Sequence, residues 1–236
     1  MKRVAPNIAA LTLAASLSVA LPAHAQQMGV TKDELIIGSL QDLSGPLAGF
    51  GKQLRFGMQM RVDEINETGG VNGRKLKLVV EDSGYDPKKG LLAAQKLVQQ
   101  DKIFAMVGTL GTAVAMASMP TLFEKNVLHL FPLTSAREMY EPFHKLKFSF
   151  AAPYYDQVRN GVKWMAKERG AKKYCIVYQD DDFGLEVFRG AEQGLKEISQ
   201  TFAEKTTFKR GATDFSTQVA KMKSAGCDTV VLGTII

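Results

Sequence analysis

Hydroxyl, glycine and aromatic residues follow the predicted strands in the first half of this 236-residue chain, where they could hold a small ligand. Thr112 opens a predicted helix directly after a glycine-containing loop, 108–111. The free N–H groups and the dipole of a helix start attract a carboxylate, and a threonine hydroxyl adds a further donor. Phe50, in the Gly-rich segment 42–51, offers a flat apolar wall beside such a head group. The chemistry that these residues suit is the binding of a small acid.

Motifs for catalysis and metal binding are absent from the sequence, which contains no HExxH, CxxC, GxSxG, GxxxxGK[ST] or GxGxxG. The segment 180–182, three aspartates, could hold a cation, but we favour a solvated loop whose last aspartate caps the following helix. His129 lies between two leucines and is interpreted as a core histidine. We therefore predict a binding protein rather than an enzyme, with no catalytic residues, no cofactor and no metal.

Three further features have two interpretations each. Tyr154 and Tyr155 could line a cleft, and we favour simple packing. Arg137 could pair with an anionic ligand, and we favour a solvated surface position. Cys175 and Cys227 could pair in an exported protein, but sequence cannot show the geometry that a bridge needs, so we favour two small buried side chains.

Strands and helices alternate along the chain, and the strands are continuous apolar runs, which predicts an α/β fold with parallel sheets covered by helices. The pattern repeats after about residue 150, which indicates two similar lobes. In such sheets ligands bind outside the carboxyl ends of the strands. The predicted strands are 35–40, 76–80, 103–107, 127–130, 147–150, 174–178, 202–208 and 229–232. The predicted helices lie around 54–65, at 87–100, at 112–125 with a bend or restart near Pro120, at 156–169, at 183–198, and after Asp214 with Phe215, Val219 and Met222 on the buried side.

The N-terminus has the organisation of a secretory signal peptide. Lys2 and Arg3 precede an uncharged apolar run, 8–21, and 23–25 reads Ala-His-Ala, which suits cleavage after Ala25. The formal charge of +6 is not clustered and falls further on loss of the two basic residues, so we predict no nucleic-acid partner. The predicted domains are a signal peptide 1–25, an N-terminal lobe 26–150 and the first part of a C-terminal lobe 151–236.

Several short motifs, in this order and spacing, resemble those of one known family. Gln41-Asp-Leu-Ser-Gly-Pro is followed ten residues on by Gly51, then by Glu64-Ile-Asn-x-x-Gly-Gly-Val-Asn-Gly-Arg and by Glu81-Asp-x-x-x-Asp-Pro, and Gly184 follows Phe183. From about residue 35 to the end, the chain resembles the leucine/isoleucine/valine-binding family, the type I periplasmic binding proteins of ABC importers. The resemblance implies two Rossmann-like lobes joined by a hinge. It also implies a C-terminal truncation, because family chains continue beyond the third strand of the second lobe, and an uncovered last strand would lower stability.

The resemblance further implies ligand contacts in the first lobe. Phe50 matches an aromatic wall, and Thr112 matches a serine that binds the ligand carboxylate. Ser135 matches a threonine that touches the ligand amino group, so a hydroxyl pair is retained. Leu133 matches a backbone-contact position.

In the second lobe the same resemblance implies a more aliphatic wall, because Phe183 and Ile235 stand where the family has tyrosines. The carboxylate that binds the amino group would lie beyond Ile236, which leaves the charge pattern of the ligand open. Tyr85 and Gly111 occupy the positions of the leucine binder's disulfide, and Tyr85 could reach the cleft or merely pack. The predicted ligand-binding residues are Ser44, Phe50, Tyr85, Thr112, Ala113, Leu133, Thr134, Ser135, Phe183 and Ile235.

What the resemblance implies for function is the periplasmic substrate-binding component of an ABC importer. It would bind an amino acid or a related small carboxylate-bearing solute between the lobes and deliver it to a permease at the inner membrane. We expect a monomer in the periplasm. The alternative is a ligand sensor of the same fold, for an amide or another small molecule. The third hypothesis is a secreted α/β enzyme, and the absence of the catalytic motifs named above disfavours it.

Overall fold

A computed structural model describes residues 27–235 of the chain, and their strands and helices alternate as predicted. The predicted signal peptide lies outside the described residues. The strands are β1 Glu34–Gln41, β2 Lys75–Asp82, β3 Ala105–Val107, β4 Leu128–Leu130, β5 Lys147–Phe148, β6 Tyr174–Gln179, β7 Phe202–Phe208 and β8 Thr229–Gly233. The helices are α1 Ala48–Glu67, α2 Pro87–Gln99, α3 Thr112–Glu124, α4 Tyr154–Arg169, α5 Asp182–Glu197 and α6 Ser216–Ala225, with a short 3-10 turn at Arg137–Met139.

The first lobe contains a five-stranded parallel sheet in the order β2-β1-β3-β4-β5. Helix α2 is held at its start by Asp86, whose side chain accepts from the backbone N–H of Lys89, and by Pro87 in the first turn. Its apolar face packs against α3 and the sheet, with Leu97, Met106 and Leu122 completely buried between them. This packing sets the carboxyl ends of β1, β3 and β4 along one edge.

The second lobe contains a three-stranded parallel sheet in the order β7-β6-β8. Helices α4 and α5 cover one face of it, and they approach closely at Gly190, where an added Cβ would lie 2.4 Å from the carbonyl oxygen of Tyr155. Tyr174 is fully buried below them, and its hydroxyl donates to the carbonyl of Val162 at 3.0 Å. The fold is therefore α/β with two Rossmann-like lobes, as predicted.

Helix α6 differs from the prediction, because its apolar side is not buried. Val219 is 47% exposed, and Val230 and Leu232 on the facing side of β8 are 41% and 57% exposed. The prediction that Asp214 caps this helix was wrong by one residue, because Phe215 occupies the N-cap position and makes no side-chain cap hydrogen bond. The carboxylate of Asp214 accepts from the N–H of Ser216 at 2.9 Å. The sheet of the second lobe is thus well covered on the α4–α5 side only.

Two other helix predictions were wrong in detail. Helix α1 begins at Ala48 rather than near Leu54, so the first loop is shorter than the glycines and proline suggested. Helix α3 runs through Pro120 without interruption, because Val114, Met119 and Leu122 are buried on both sides of the proline and hold the helix in place. Among residues 27–235, no helix combines the length and the hydropathy that crossing a bilayer requires.

Candidate functional site

A cavity of about 350 Å³ lies where the carboxyl ends of the first sheet face the second lobe. Its first-lobe wall comes from the loops that follow β1, β2, β3 and β4, and its opposite wall comes from the starts of α4 and α5 and the end of β8. The wall is mainly apolar and aromatic, with a few hydroxyls, as small-molecule sites usually are. It is lined by Leu47, Phe50, Tyr85, Leu110, Gly111, Thr112, Leu133, Thr134, Tyr154, Phe183, Thr234 and Ile235.

The start of α3 is the polar end of this cavity. Gly111 caps the helix with a φ of +98°, a conformation that glycine adopts without strain. The first N–H groups of the helix have no acceptor within the helix itself. Beside them, Thr112 Oγ1 lies 2.6 Å from Thr134 Oγ1, and both residues are nearly fully buried. The start of α3 therefore places free backbone N–H groups beside two hydroxyls that share one hydrogen bond, and donors of this kind suit a carboxylate.

Backbone hydrogen bonds fix the two loops that carry these hydroxyls. The N–H of Leu133 donates to the carbonyl of Thr109 at 2.8 Å, and the N–H of Gly111 donates back to the carbonyl of Leu133 at 3.3 Å. Leu110 and Leu133 form a parallel bridge beyond the ends of β3 and β4. The polar end of the cavity is therefore preformed by the sheet.

Tyr85 closes one side of the cavity and packs against the helix start. An added Cβ at Gly111 would lie 2.5 Å from Cε2 of Tyr85, so glycine is required for the ring to sit there. Tyr85 is 2% exposed and adopts a φ of +55°. Burial, together with the nearby charge of Asp181, raises the pKa of its hydroxyl. Tyr85 therefore reaches the cleft and also packs, and it remains neutral at physiological pH.

The first loop is organised by Asp82 at the end of β2. Its carboxylate accepts from Ser44 Oγ at 2.6 Å, from the N–H of Leu43 at 2.8 Å and from the N–H of Gly84 at 2.9 Å. Partial burial alone would raise the pKa of Asp82, but these hydrogen bonds outweigh burial and lower it. Ser44 thus holds the loop and does not line the cavity.

The wall from the second lobe is aromatic. Tyr154 and Phe183 pack edge to face with ring centroids 5.3 Å apart, and both line the cavity. The N–H of Tyr154 donates to the carbonyl of Ser135 at 2.8 Å, which ties the start of α4 to the first lobe. Asp181 caps α5 by accepting from the N–H groups of Phe183 and Gly184. The prediction that the last of the three aspartates caps this helix was therefore wrong by one residue.

The structure brings most of the predicted site residues to this cavity: Phe50, Tyr85, Thr112, Leu133, Thr134, Phe183 and Ile235 line it. Ser44, Ala113 and Ser135 are not among the lining residues. The hydroxyl that pairs with Thr112 belongs to Thr134 rather than to the expected Ser135.

The predicted ligand-binding residues omit Leu47, Leu110, Gly111, Tyr154 and Thr234, which line the cavity. For Tyr154 the favoured interpretation, simple packing, was incomplete, because its ring packs against Phe183 and also lines the cavity. Their contribution to the cavity could have been predicted only from their position beside strand ends or at the predicted crossover between the lobes.

Arg137 is a half-buried member of an ion pair rather than a solvated surface residue, and it does not line the cavity. Its Nε donates to Glu186 Oε1 at 2.6 Å, and its guanidinium lies 3.8 Å from the ring centroid of Tyr155. Glu186 is fully buried on α5, so the pair joins the two lobes across their interface. Hydrogen bonding to Glu186 raises the pKa of Arg137. Both members of the pair are therefore structural.

Cys175 and Cys227 form a disulfide, with Cα atoms 5.9 Å apart. The interpretation of two unpaired buried side chains was wrong, because the bend between α6 and β8 brings Cys227 beside β6. Among residues 27–235, no group of three or more His, Cys, Asp or Glu side chains is placed to hold a metal ion.

Another cavity, of about 420 Å³, lies between α6 and the second sheet. Phe215, Val219, Met222 and Leu232 make its walls strongly apolar. It lacks a convergent set of hydroxyls or helix N–H groups that could fix a charged head group. It is the uncovered face of the second lobe, and we do not assign a ligand to it.

A sequence model of the family described as periplasmic binding protein matches residues 34–236. The chain belongs to this family. Its members are binding proteins rather than enzymes, and their family implies a periplasmic location.

Curated relatives of this periplasmic binding protein carry names that state branched-chain amino-acid binding. It is 30% identical to the Leu/Ile/Val-binding protein BraC3 of Rhizobium johnstonii, over 94% of this chain and 58% of that protein. It is 27% identical to the Leu/Ile/Val-binding protein homolog 3 of Brucella melitensis, over 96% of this chain and 59% of that protein. The chain thus spans somewhat more than half the length of these relatives.

Solved structures similar to this periplasmic binding protein have the same fold. A fatty acid ABC transporter substrate-binding protein from Thermomonospora curvata has a TM-score of 0.79 and 25% identity, over 88% of this chain and 52% of that one. A substrate-binding periplasmic protein from Ralstonia solanacearum has a TM-score of 0.77 and 26% identity, over 86% and 57%.

Proposed function

We propose that this protein is the substrate-binding component of an ABC importer, and that it binds an amino acid or a related small carboxylate-bearing solute between its lobes. The observation that carries the proposal is the buried contact between Thr112 and Thr134 at the open start of α3. The two hydroxyls and the first N–H groups of the helix would hold the ligand carboxylate.

The apolar wall opposite this polar end would select the rest of the ligand. Phe50, Phe183 and Ile235 offer no charge and two flat ring faces, so an aliphatic or aromatic group would pack against them. Names of the relatives support both ends of this ligand, since branched-chain amino acids and fatty acids share a carboxylate and an apolar aliphatic chain.

Transport requires two further steps, which we also propose. The predicted signal peptide would direct export to the periplasm, and ligand binding would draw the lobes together by a hinge motion. The closed form would then dock on a permease at the inner membrane. We also predict that the protein is a monomer and has no nucleic-acid partner.

A thermal-shift screen followed by substitution tests the proposed site. Amino acids, amides and aromatic acids are screened first, because a ligand that binds only the folded protein raises its melting temperature. The best ligand is then measured against the double variant Thr112→Val, Thr134→Val. Loss of hydrogen bonds to a charged group costs about 1.5–3 kcal/mol each, so affinity should fall by about tenfold or more.

The matched control is Thr217→Val, which removes an exposed hydroxyl on α6, far from the cavity. This variant should bind the ligand with unchanged affinity. Equal binding by the double variant and the control would reject the hydroxyl pair as the head-group site. The combination Phe50→Ala, Thr112→Ala should abolish binding with the fold intact.

A further inference from the structure

A neighbouring cavity lies beside the ligand cleft, at the carboxyl ends of β6 and β7 and the loop that follows β7. Its volume is about 350 Å³, equal to that of the cleft. Among residues 27–235, only Tyr85 and Ile235 line both cavities. These two side chains therefore form the wall between two spaces of similar size.

The wall has one member from each lobe. Leu47, Tyr85 and Leu110 make one buried apolar cluster in the first lobe, and Ile235 packs against that cluster from the end of the second. Tyr85 is almost fully buried in this position. We call the two side chains the Tyr85–Ile235 partition.

The ring of Tyr85 has little freedom to leave the partition. On one side it contacts Gly111, where an added Cβ would lie 2.5 Å from Cε2 of the ring. The guanidinium carbon of Arg210 lies 5.0 Å from the ring centroid. The φ of Tyr85 is +55°, a left-handed conformation that a tyrosine keeps only where surrounding contacts hold it. The partition is therefore a fixed wall rather than a side chain that swings aside.

The neighbouring cavity has walls that an apolar group could use if the partition were absent. Phe208 and Phe215 line it, and their rings pack edge to face with centroids 5.0 Å apart. Flat apolar surfaces of this kind suit an alkyl chain. The partition thus withholds a usable apolar space from a ligand in the cleft.

We propose that the Tyr85–Ile235 partition determines specificity by setting the longest apolar chain that the cleft accepts. This inference rests on the proposed function, which places the ligand carboxylate at the start of α3. That helix start lies directly beside Tyr85, because the ring contacts Gly111. An apolar chain that extends from there towards the second lobe ends at the partition. Truncation of either partition side chain would join the two cavities and admit longer acids.

Calorimetric titration with straight-chain acids, from butanoate to dodecanoate, and with the corresponding 2-amino acids tests the inference. In the native protein each added methylene should raise the affinity about fourfold until the chain meets the partition, and longer acids should bind more weakly. In Tyr85→Ala the rise should continue. The acid with two carbons more than the native optimum should therefore bind this variant about tenfold or more tightly than it binds the native protein.

Three further variants make the test specific. Ile235→Ala removes the other half of the partition and should also lengthen the optimum, which provides the test if Tyr85→Ala does not fold. Tyr85→Phe keeps the ring and should keep the native optimum. Leu92→Ala is the matched control, since Leu92 is 65% exposed on α2 and lines neither cavity, and it should also keep the native optimum.

Each other outcome has a defined meaning. An unchanged optimum in folded Tyr85→Ala, or in Ile235→Ala where Tyr85→Ala does not fold, would overturn the role of the partition. A native affinity that keeps rising up to dodecanoate would overturn it as well. Binding of another acid in the thermal-shift screen, with no binding from either series, would overturn the inference and leave the proposed function standing. Failure of every carboxylate in that screen would instead reject the proposed function itself.

Discussion

Two threonines, Thr112 and Thr134, form the hydroxyl pair on which the proposed recognition of a carboxylate rests. Each hydroxyl has one donor hydrogen and two acceptor positions, and their mutual contact of 2.6 Å uses one of the two donor hydrogens. Thr134 Oγ1 also accepts from the N–H of Ala136 at 3.3 Å. In the proposal, the remaining hydroxyl hydrogen and the free N–H groups at the start of α3 donate charge-assisted hydrogen bonds to the ligand carboxylate. At the scale of single residues, the proposed binding of an acid therefore depends on these few donors.

His129 gives a prediction of its own at this scale. Complete burial, and to a lesser degree the charge of Lys147, lowers its pKa to about 4. In the unfolded chain the imidazole of His129 becomes protonated near pH 6.5, whereas in the folded protein it stays neutral until the pH approaches 4. The free energy of unfolding should therefore fall as the pH drops from 6.5 towards 4. Below both pKa values of His129, the total loss in the free energy of unfolding is about 3 kcal/mol.

Urea unfolding at pH 7 and pH 5 measures this dependence. His129→Leu should remove most of the pH dependence in that window, because the carboxylates with lowered pKa values titrate at more acidic pH. His144→Leu is the control and should retain it. A native protein that is equally stable at pH 7 and pH 5 would contradict neutral burial of His129.

At the scale of elements, strand positions could be predicted from the sequence because buried parallel strands are uninterrupted apolar runs. The range of β7, 202–208, was predicted to the residue. Helix α1 begins earlier than predicted because its first turn, at Ala48, contains glycines that intrinsic propensity places in a loop. The order of strands within each sheet was not predicted, since tertiary packing decides it.

The candidate site was predictable to a similar degree. The loops that form it follow from strand order, since carboxyl ends of parallel strands share an edge. The backbone conformation of the loop after β4 decides whether the hydroxyl of Thr134 or that of Ser135 faces the cavity. No local sequence pattern predicts that conformation. The cavity contributions of Leu47 and Tyr154, and the bridge between the cysteines, depend on contacts between distant segments.

The disulfide predicts a stability effect at the element scale. It links β6 to the bend before β8 across a sequence separation of 52 residues. Closing a loop of this size restricts the unfolded chain, and the bridge should contribute about 2–4 kcal/mol. The double variant Cys175→Ala, Cys227→Ala should lose that free energy in urea unfolding. Native protein treated with a reductant should lose the same amount, whereas the variant should not respond to reductant. A reductant that leaves native stability unchanged would show that the bridge does not contribute.

At the scale of the whole molecule, the cleft exists because the two lobes contact each other at its sides. Arg137 pairs with the buried Glu186 on one side, and Tyr85 extends from the first lobe towards Gln179, Asp181 and Arg210 on the other. The proposed head-group site belongs to the first lobe, and much of the apolar wall belongs to the second. A ligand that touches both would stabilise the closed arrangement by its differential affinity for it.

The most direct measurement of this account is calorimetric titration of the native protein with one acid and with its primary amide. The acid is the one that raises the melting temperature most in the screen. The amide keeps the shape of the acid and loses its charge. We predict that the acid binds at least about tenfold more tightly than the amide, because the start of α3 and its two hydroxyls hold a carboxylate. Equal affinities for acid and amide would contradict a carboxylate-binding cleft.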